Sequence, residues 1–150
     1  MTHARGKATG AHYDRSLEAV VIGADTVVDV DGEAFGKPRD ARESRAMIAR
    51  LSGREHVVHT AFSLRDAISE RSFDTISSTR VRFYALDDAE IDRYVATGDG
   101  LDKAGAYGIQ GRGATLVERI DGDFYTVMGF PLGAFVRALP ALGWHLGASA

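Results

Sequence analysis

Residues 55–66 and 72–84 set the strongest constraint on the fold. Both segments are long and rich in Val, Thr, Phe and Tyr, as in "HVVHTAFSL" and "FDTISSTRVRFYAL". Such branched and aromatic side chains suit a pleated, half-buried surface. The polar joint "DAISER" between them predicts a turn and hence an antiparallel strand pair.

The rest of the chain is read around that pair. "EAVVIG", residues 18–23, is a short β-branched run and predicts a buried strand ending on Gly23-Ala24-Asp25-Thr26. "TVVDV", Asp31-Gly32 and "EAF" predict a hairpin, since Asp-Gly favours a two-residue turn. Residues 2–14 read as a polar helix. Asp40 with Glu43 and Asp87 with Glu90 are Asp-x-x-Glu capping boxes. The first opens a helix with Ala46, Met47, Ile48 and Leu51 on its apolar face, ended by Gly53. The second opens a helix carrying Ile91, Tyr94 and Val95, closed by Gly98. A glycine-rich loop, "GDGLDKAGAYGIQGRGA", follows. "TLVERI", Asp121-Gly122 and "DFYTVMG" predict a further hairpin, and Pro131 starts a last helix that stops near Pro140. Hairpins alternating with single helices indicate one domain, residues 1–150, of mixed α/β class with a mixed sheet.

Composition narrows the function. The net charge of −3 does not suit non-specific nucleic-acid binding, which rests on excess Lys and Arg. The absence of cysteine excludes disulfides and thiolate metal sites. No apolar run is long enough to span a bilayer. The N-terminal "MTHARGKATGAHYDR" lacks the apolar centre of a signal peptide. The expectation is a cytoplasmic protein with neither nucleic acid nor membrane as partner.

A small anionic ligand remains possible where cations converge. Asp25, at the end of a strand, is placed either to hold a hard divalent cation or to deprotonate a water. A turn aspartate capping local backbone is the plainer alternative. Lys37, before Pro38, suits a phosphate oxygen as a point charge. Taken alone, Lys37 and Lys7 read more simply as solvated lysines. In the glycine-rich loop, backbone N–H groups can approach an anion closely. There Lys103 and Arg112 add charge, and Gln110 adds an amide that can read a base edge. Its Ala104, Ala106, Tyr107 and Ile109 suit a ligand wall better than a solvated loop. His56 and His59, three apart on a strand, face opposite sides and make a poor metal pair. His3, His12 and His145 have no partner at ligand spacing, and the serines lack a nucleophile-elbow setting.

Six segments in order resemble the Maf family of nucleotide pyrophosphatases: "ARGKA" (4–8), "VIGADTVV" (21–28), "GKP" (36–38), "RLSGREHVVHT" (50–60), "IDRYVATGDGLDKAGAYGIQGRGA" (91–114) and "GDFYTVMGFPL" (122–132). The resemblance implies hydrolysis of a nucleoside triphosphate to the monophosphate and pyrophosphate with a divalent cation, Mg or Mn. It implies Asp25 as catalytic residue and metal ligand. It implies Lys7, Lys37 and Lys103 as triphosphate ligands. Thr26 and Gln110 resemble the subfamily acting on dTTP and UTP. The implied fold is that of the inosine-triphosphate pyrophosphatases, an elongated twisted mixed sheet with helices and a cleft between two lobes.

The sequence also departs from the family pattern. Members begin with a strand leading into an SxSPRR-like loop that brings a serine and arginines to the phosphates. This sequence starts at the helix carrying Lys7. Asp99-Gly100 replaces Glu-Pro, Thr126 replaces Asn, and Phe130 replaces Leu. These differences lead to an expectation of weakened turnover, an unpaired sheet edge and self-association, with room for a homodimer. A non-catalytic nucleotide-binding protein is the rival class. A fragment of an active enzyme with a mis-assigned start is the third reading.

Overall fold

The computed structural model describes residues 1–13 and 16–147. Five strands form one sheet in the order β2–β1–β3–β4–β5. They are β1 (Val20–Val30), β2 (Glu33–Phe35), β3 (Glu55–Asp66), β4 (Ser72–Phe83) and β5 (Val117–Asp121). The helices are α1 (Thr2–Thr9), α2 (Ala41–Leu51), α3 (Asp88–Val95), α4 (Phe124–Met128) and α5 (Leu132–Ala138). The mixed α/β class stands. The strand pairings among the described residues are all antiparallel, so the sheet is not mixed in direction. Tight turns join β1 to β2 and β3 to β4, and such turns join only antiparallel neighbours.

The central pair forms as its composition requires, with His59 opposite Ser78 and Thr60 opposite Ser77. The Asp66 carboxylate accepts from the backbone N–H groups of Ile68 and Ser69, which shapes the turn. The first strand, by contrast, does not end at Gly23. It runs through Gly23-Ala24-Asp25-Thr26 to Val30, because β3 supplies a continuous partner from Asp66 to Val57. β2 pairs only with Val28–Val30, so Val20–Val27 present an outer edge paired with no strand among the described residues. The polar helix is shorter than predicted and ends at Thr9; its predicted end, Asp14, lies outside the described residues.

Two further expectations are corrected. "DFYTVMG" is helix α4, not a strand: the Asp123 carboxylate accepts from the backbone N–H groups of Tyr125 and Thr126 and caps it. The capping box at Asp87 is complete. At Asp40 it is half formed, because Glu43 turns its carboxylate to the Arg39 backbone N–H instead.

Alternation along the strands gives the sheet two unlike faces. One face carries two apolar clusters. Val28, Val30, Val58, Val81 and Phe83 pack under α2 and α3 through Ile48, Leu51, Ile91 and Tyr94. Phe62 and Leu64 pack against Ala138, Leu142, Phe130 and Trp144. Between the clusters lies a row of hydroxyls, Thr26, Thr60 and Ser77, one from each of three adjacent strands. The opposite face receives α1 at Gly23. A Cβ on Gly23 would lie 2.2 Å from the Ala4 carbonyl oxygen and 2.5 Å from the Ala8 nitrogen. Ala4 and Ala8 are fully buried there, so only glycine lets the helix sit this close.

His56 points into the larger cluster. Its Nε2 lies 2.8 Å from the Tyr107 hydroxyl, and its ring meets Phe83 edge-on. Burial pushes its pKa down from 6.5 to about 4. The unfolded chain therefore takes up a proton that the folded chain refuses between these values. The stability tied to neutral His56 is complete above pH 6.5 and is lost as pH falls toward 4. At pH 5 the loss amounts to about 2 kcal/mol relative to pH 7.5. Urea unfolding at the two pH values should show it, and His56→Gln should remove that part of the difference. An equal pH response in both proteins would contradict the assignment.

Candidate functional site

A cleft of about 520 Å³ lies over the open edge of β1. Lys7, Asp25, Thr26, Lys37, Lys103 and Gln110 all line it. Residues spread from position 7 to position 110 thus meet in one space. Arg112 is not among the lining residues; its carbonyl accepts a hydrogen bond from Thr115.

Each is held by its own element. Asp25 faces the side of β1 on which α1 lies. Its Oδ1 accepts from Lys7 Nζ at 2.6 Å, and Lys7 also donates to the Ala24 carbonyl at 2.9 Å. His3, one turn before Lys7, brings Nδ1 to 3.5 Å from Asp25 Oδ2. Both side chains reach Asp25 because residues four apart share a helix face. The close packing at Gly23 fixes the height of that face over the strand. The i, i+4 spacing of His3 and Lys7 was the available signal for His3, which sequence reasoning had set aside.

Lys37 stands in the loop after β2. The preceding residue, Gly36, accepts from the Gly105 backbone N–H at 3.0 Å, which ties this loop to the glycine-rich one. Lys103 runs its aliphatic stem across Gly108, where a Cβ would lie 2.8 Å from its Cδ and Cε atoms. Its Nζ bonds Asp102 Oδ1 at 2.5 Å. Lys103, and then Lys37 at longer range, hold the Asp102 carboxyl below the usual carboxylate range. Tyr107 and Ile109 are buried parts of the same wall. The predicted loop is therefore an ordered side of the cleft, with short 3₁₀ turns at Ala104–Ala106 and Gly111–Leu116.

Thr26 projects to the opposite face from Asp25, beside Gly129 at the end of α4. Its Oγ1 lies 2.9 Å from Thr60 Oγ1, and Thr60 donates to the Thr126 carbonyl at 2.7 Å. Thr60 was not legible as a site residue: it is fully buried, and only the strand register sets it opposite Thr26.

The donor set limits what metal this cleft can hold. No group of three or more His, Cys, Asp or Glu is disposed for a metal among the described residues. Asp25 has one imidazole, His3, nearby, and the cleft's other carboxylate, Asp102, is engaged by Lys103. That set fits a hard cation that keeps most of its shell as water and substrate phosphate, as Mg²⁺ does. It does not fit a closed protein cage.

Comparison with known proteins places the chain. A family model described as Maf-like protein matches residues 1–142. A dTTP/UTP pyrophosphatase of Bacillus velezensis is 49% identical over 130 residues, covering 87% of this chain and 68% of the relative. One from Thermus thermophilus is 50% identical over 125 residues, covering 83% of this chain and 66% of the relative. One from Thermotoga maritima is 49% identical over 128 residues, covering 85% and 61%. The chain thus spans about two thirds of the length of these relatives. A match along nearly the whole chain, at about half identity, leaves one assignment: the chain belongs to the Maf family.

Proposed function

We propose that this chain hydrolyses dTTP and UTP, or modified pyrimidine triphosphates, to the nucleoside monophosphate and pyrophosphate. The observation that carries the reading is the convergence of three lysines and two aspartates, Asp25 and Asp102, on a single cleft. Relatives that are dTTP/UTP pyrophosphatases agree with it.

The chemistry follows from charge. A triphosphate brings about four negative charges, and Lys7, Lys37 and Lys103 can neutralise most of them. Lys103 would exchange Asp102 for phosphate, and Lys7 would be shared between Asp25 and phosphate. A divalent cation held at Asp25 would screen the phosphate oxygens and lower the pKa of a bound water. Water oxygen attacks the α-phosphorus, the bond from that phosphorus to the α,β-bridging oxygen breaks, and pyrophosphate leaves with the electron pair. Asp25 is the carboxylate placed to take the water's proton. Charge gathers on phosphate oxygens in the transition state, where lysines fixed in advance stabilise it most.

The base would lie toward Thr26 and Gln110. Gln110 is exposed at the loop and free to donate its amide N–H to a pyrimidine carbonyl. A site built on such bonds disfavours ligands that leave its polar groups unpaired. The test is pyrophosphate release from dTTP, UTP, CTP, ATP and GTP at equal concentration with Mg²⁺. dTTP and UTP should lead, and a chelator should abolish release. Gln110→Ala should narrow the preference by about tenfold while slowing dTTP turnover less. Equal rates on all nucleotides would contradict the base assignment.

A further inference from the structure

The hydroxyl row between the two apolar clusters has a fixed direction. Thr60 Oγ1 carries one proton, and its 2.7 Å contact with the Thr126 carbonyl consumes it, since a carbonyl only accepts. The 2.9 Å contact between Thr26 and Thr60 must then be donated by Thr26. The hydrogen bonds from Ser77, in the same row, run the same way. Thr126 Oγ1 donates to Asp123 Oδ2 at 2.9 Å, so Ser77 must donate to Thr126 at 2.7 Å. Both chains end on α4, one on its backbone and one on its capping carboxylate. Thr60 and Thr126 are fully buried, so no water competes for these protons.

Thr26 is the end of its chain that reaches the cleft. With its proton committed inward, it shows the cleft only lone pairs. We infer that Thr60 sets substrate choice by holding the Thr26 hydroxyl as an obligate acceptor, so that the site takes a pyrimidine with a ring N–H donor and refuses one with a ring-nitrogen acceptor. This rests on the dTTP/UTP reading above. Uracil and thymine carry the N3–H imide; cytosine has the same ring size but presents a bare N3. The same polarity rules out Thr26 as a phosphate ligand, because phosphate oxygens also accept. Thr60 touches no substrate in this account and is a positioning residue.

The experiment compares kcat/KM for UTP and CTP in wild type, Thr60→Val, Thr60→Ser and Thr26→Val. Wild type should favour UTP. In Thr60→Val the Thr26 proton loses its acceptor and is free to turn to cytosine N3, so the UTP/CTP ratio should fall by about tenfold or more. Thr60→Ser keeps the hydroxyl and should hold the ratio within about threefold of wild type. A merely structural loss at Thr60 would lower both substrates together and leave the ratio standing. Should Thr60→Val not fold, Thr26→Val decides alone: at a partly buried position it removes the acceptor, and the ratio should again collapse. A ratio unchanged in Thr60→Val, or in Thr26→Val where only that variant folds, overturns the inference while leaving the pyrophosphatase reading intact. A wild type that releases no pyrophosphate from UTP overturns the reading and the inference with it.

Discussion

Asp25→Asn is expected to lower pyrophosphate release from dTTP by about 100-fold to 10,000-fold, the range that loss of a positioned acid–base group produces. The substitution keeps size and shape but removes the charge. Asparagine cannot take a proton from water, and it binds a hard cation far less well than a carboxylate. The fold should tolerate it. Asp25 sits at a partly exposed position, and its bond to Lys7 is an accessible ion pair of small net stability. Unfolding midpoints should therefore agree closely while kcat differs by orders of magnitude. Near-normal turnover in Asp25→Asn would remove the carboxylate from the mechanism.

Gly23→Ala should have the second largest effect, acting through packing. The new methyl would stand 2.2 Å from one backbone atom of α1 and 2.5 Å from another. Backbone atoms cannot swing aside as a side chain would, so α1 must lift or detach. Overpacking of this kind typically costs about 1–3 kcal/mol. In a chain of this length that corresponds to a fall in Tm of about 2–12 °C. Lifting α1 also carries Lys7 and His3 away from Asp25. A displacement of about 1 Å in a positioning group can lower kcat/KM by up to about 100-fold. Gly133→Ala is the control. Gly133 lies within α5 and a Cβ there meets nothing within 4 Å. Its substitution should leave Tm the same or slightly higher, because alanine restricts the unfolded chain. Equal effects at the two glycines would show that α1 does not depend on the close approach at Gly23.

The contrast between these glycines shows what the sequence could and could not convey. The β3–β4 pair was readable because long β-branched runs with a polar joint have few alternatives. The Asp31-Gly32 hairpin and the Asp87 capping box were readable because their signals are local. β1 was cut short because Gly23-Ala24-Asp25-Thr26 looks like a break. Its strand geometry comes from ten partners on β3 and from α1, both remote in sequence. The segment 124–128 was misread because its β-rich composition competes with a capping aspartate and with the buried bond from Thr60 to the Thr126 carbonyl. In each case a tertiary partner outweighed local propensity.

The site divides the same way. Asp25, Lys7, Lys37, Lys103, Thr26 and Gln110 were named on residue type and family resemblance, and they line one cleft. Residue type alone had left Lys7 and Lys37 as plain surface lysines, since nothing local distinguishes a lysine that faces a distant carboxylate. Asp102, which holds Lys103, was not named although it is the adjacent residue. Thr60 lies deeper still: its role depends on which of two oxygens receives one proton, and that is decided by a helix 66 residues away.

The measurement that bears most directly on the central claim is the identity of the first products. Phosphorus NMR of dTTP incubated with the protein and Mg²⁺ resolves the two possible cleavages. Attack at the α-phosphorus gives dTMP and pyrophosphate in equal amounts, with no dTDP at any time. That result is predicted, together with its loss in Asp25→Asn. Orthophosphate and dTDP as first products would place the attack at the γ-phosphorus and contradict the account.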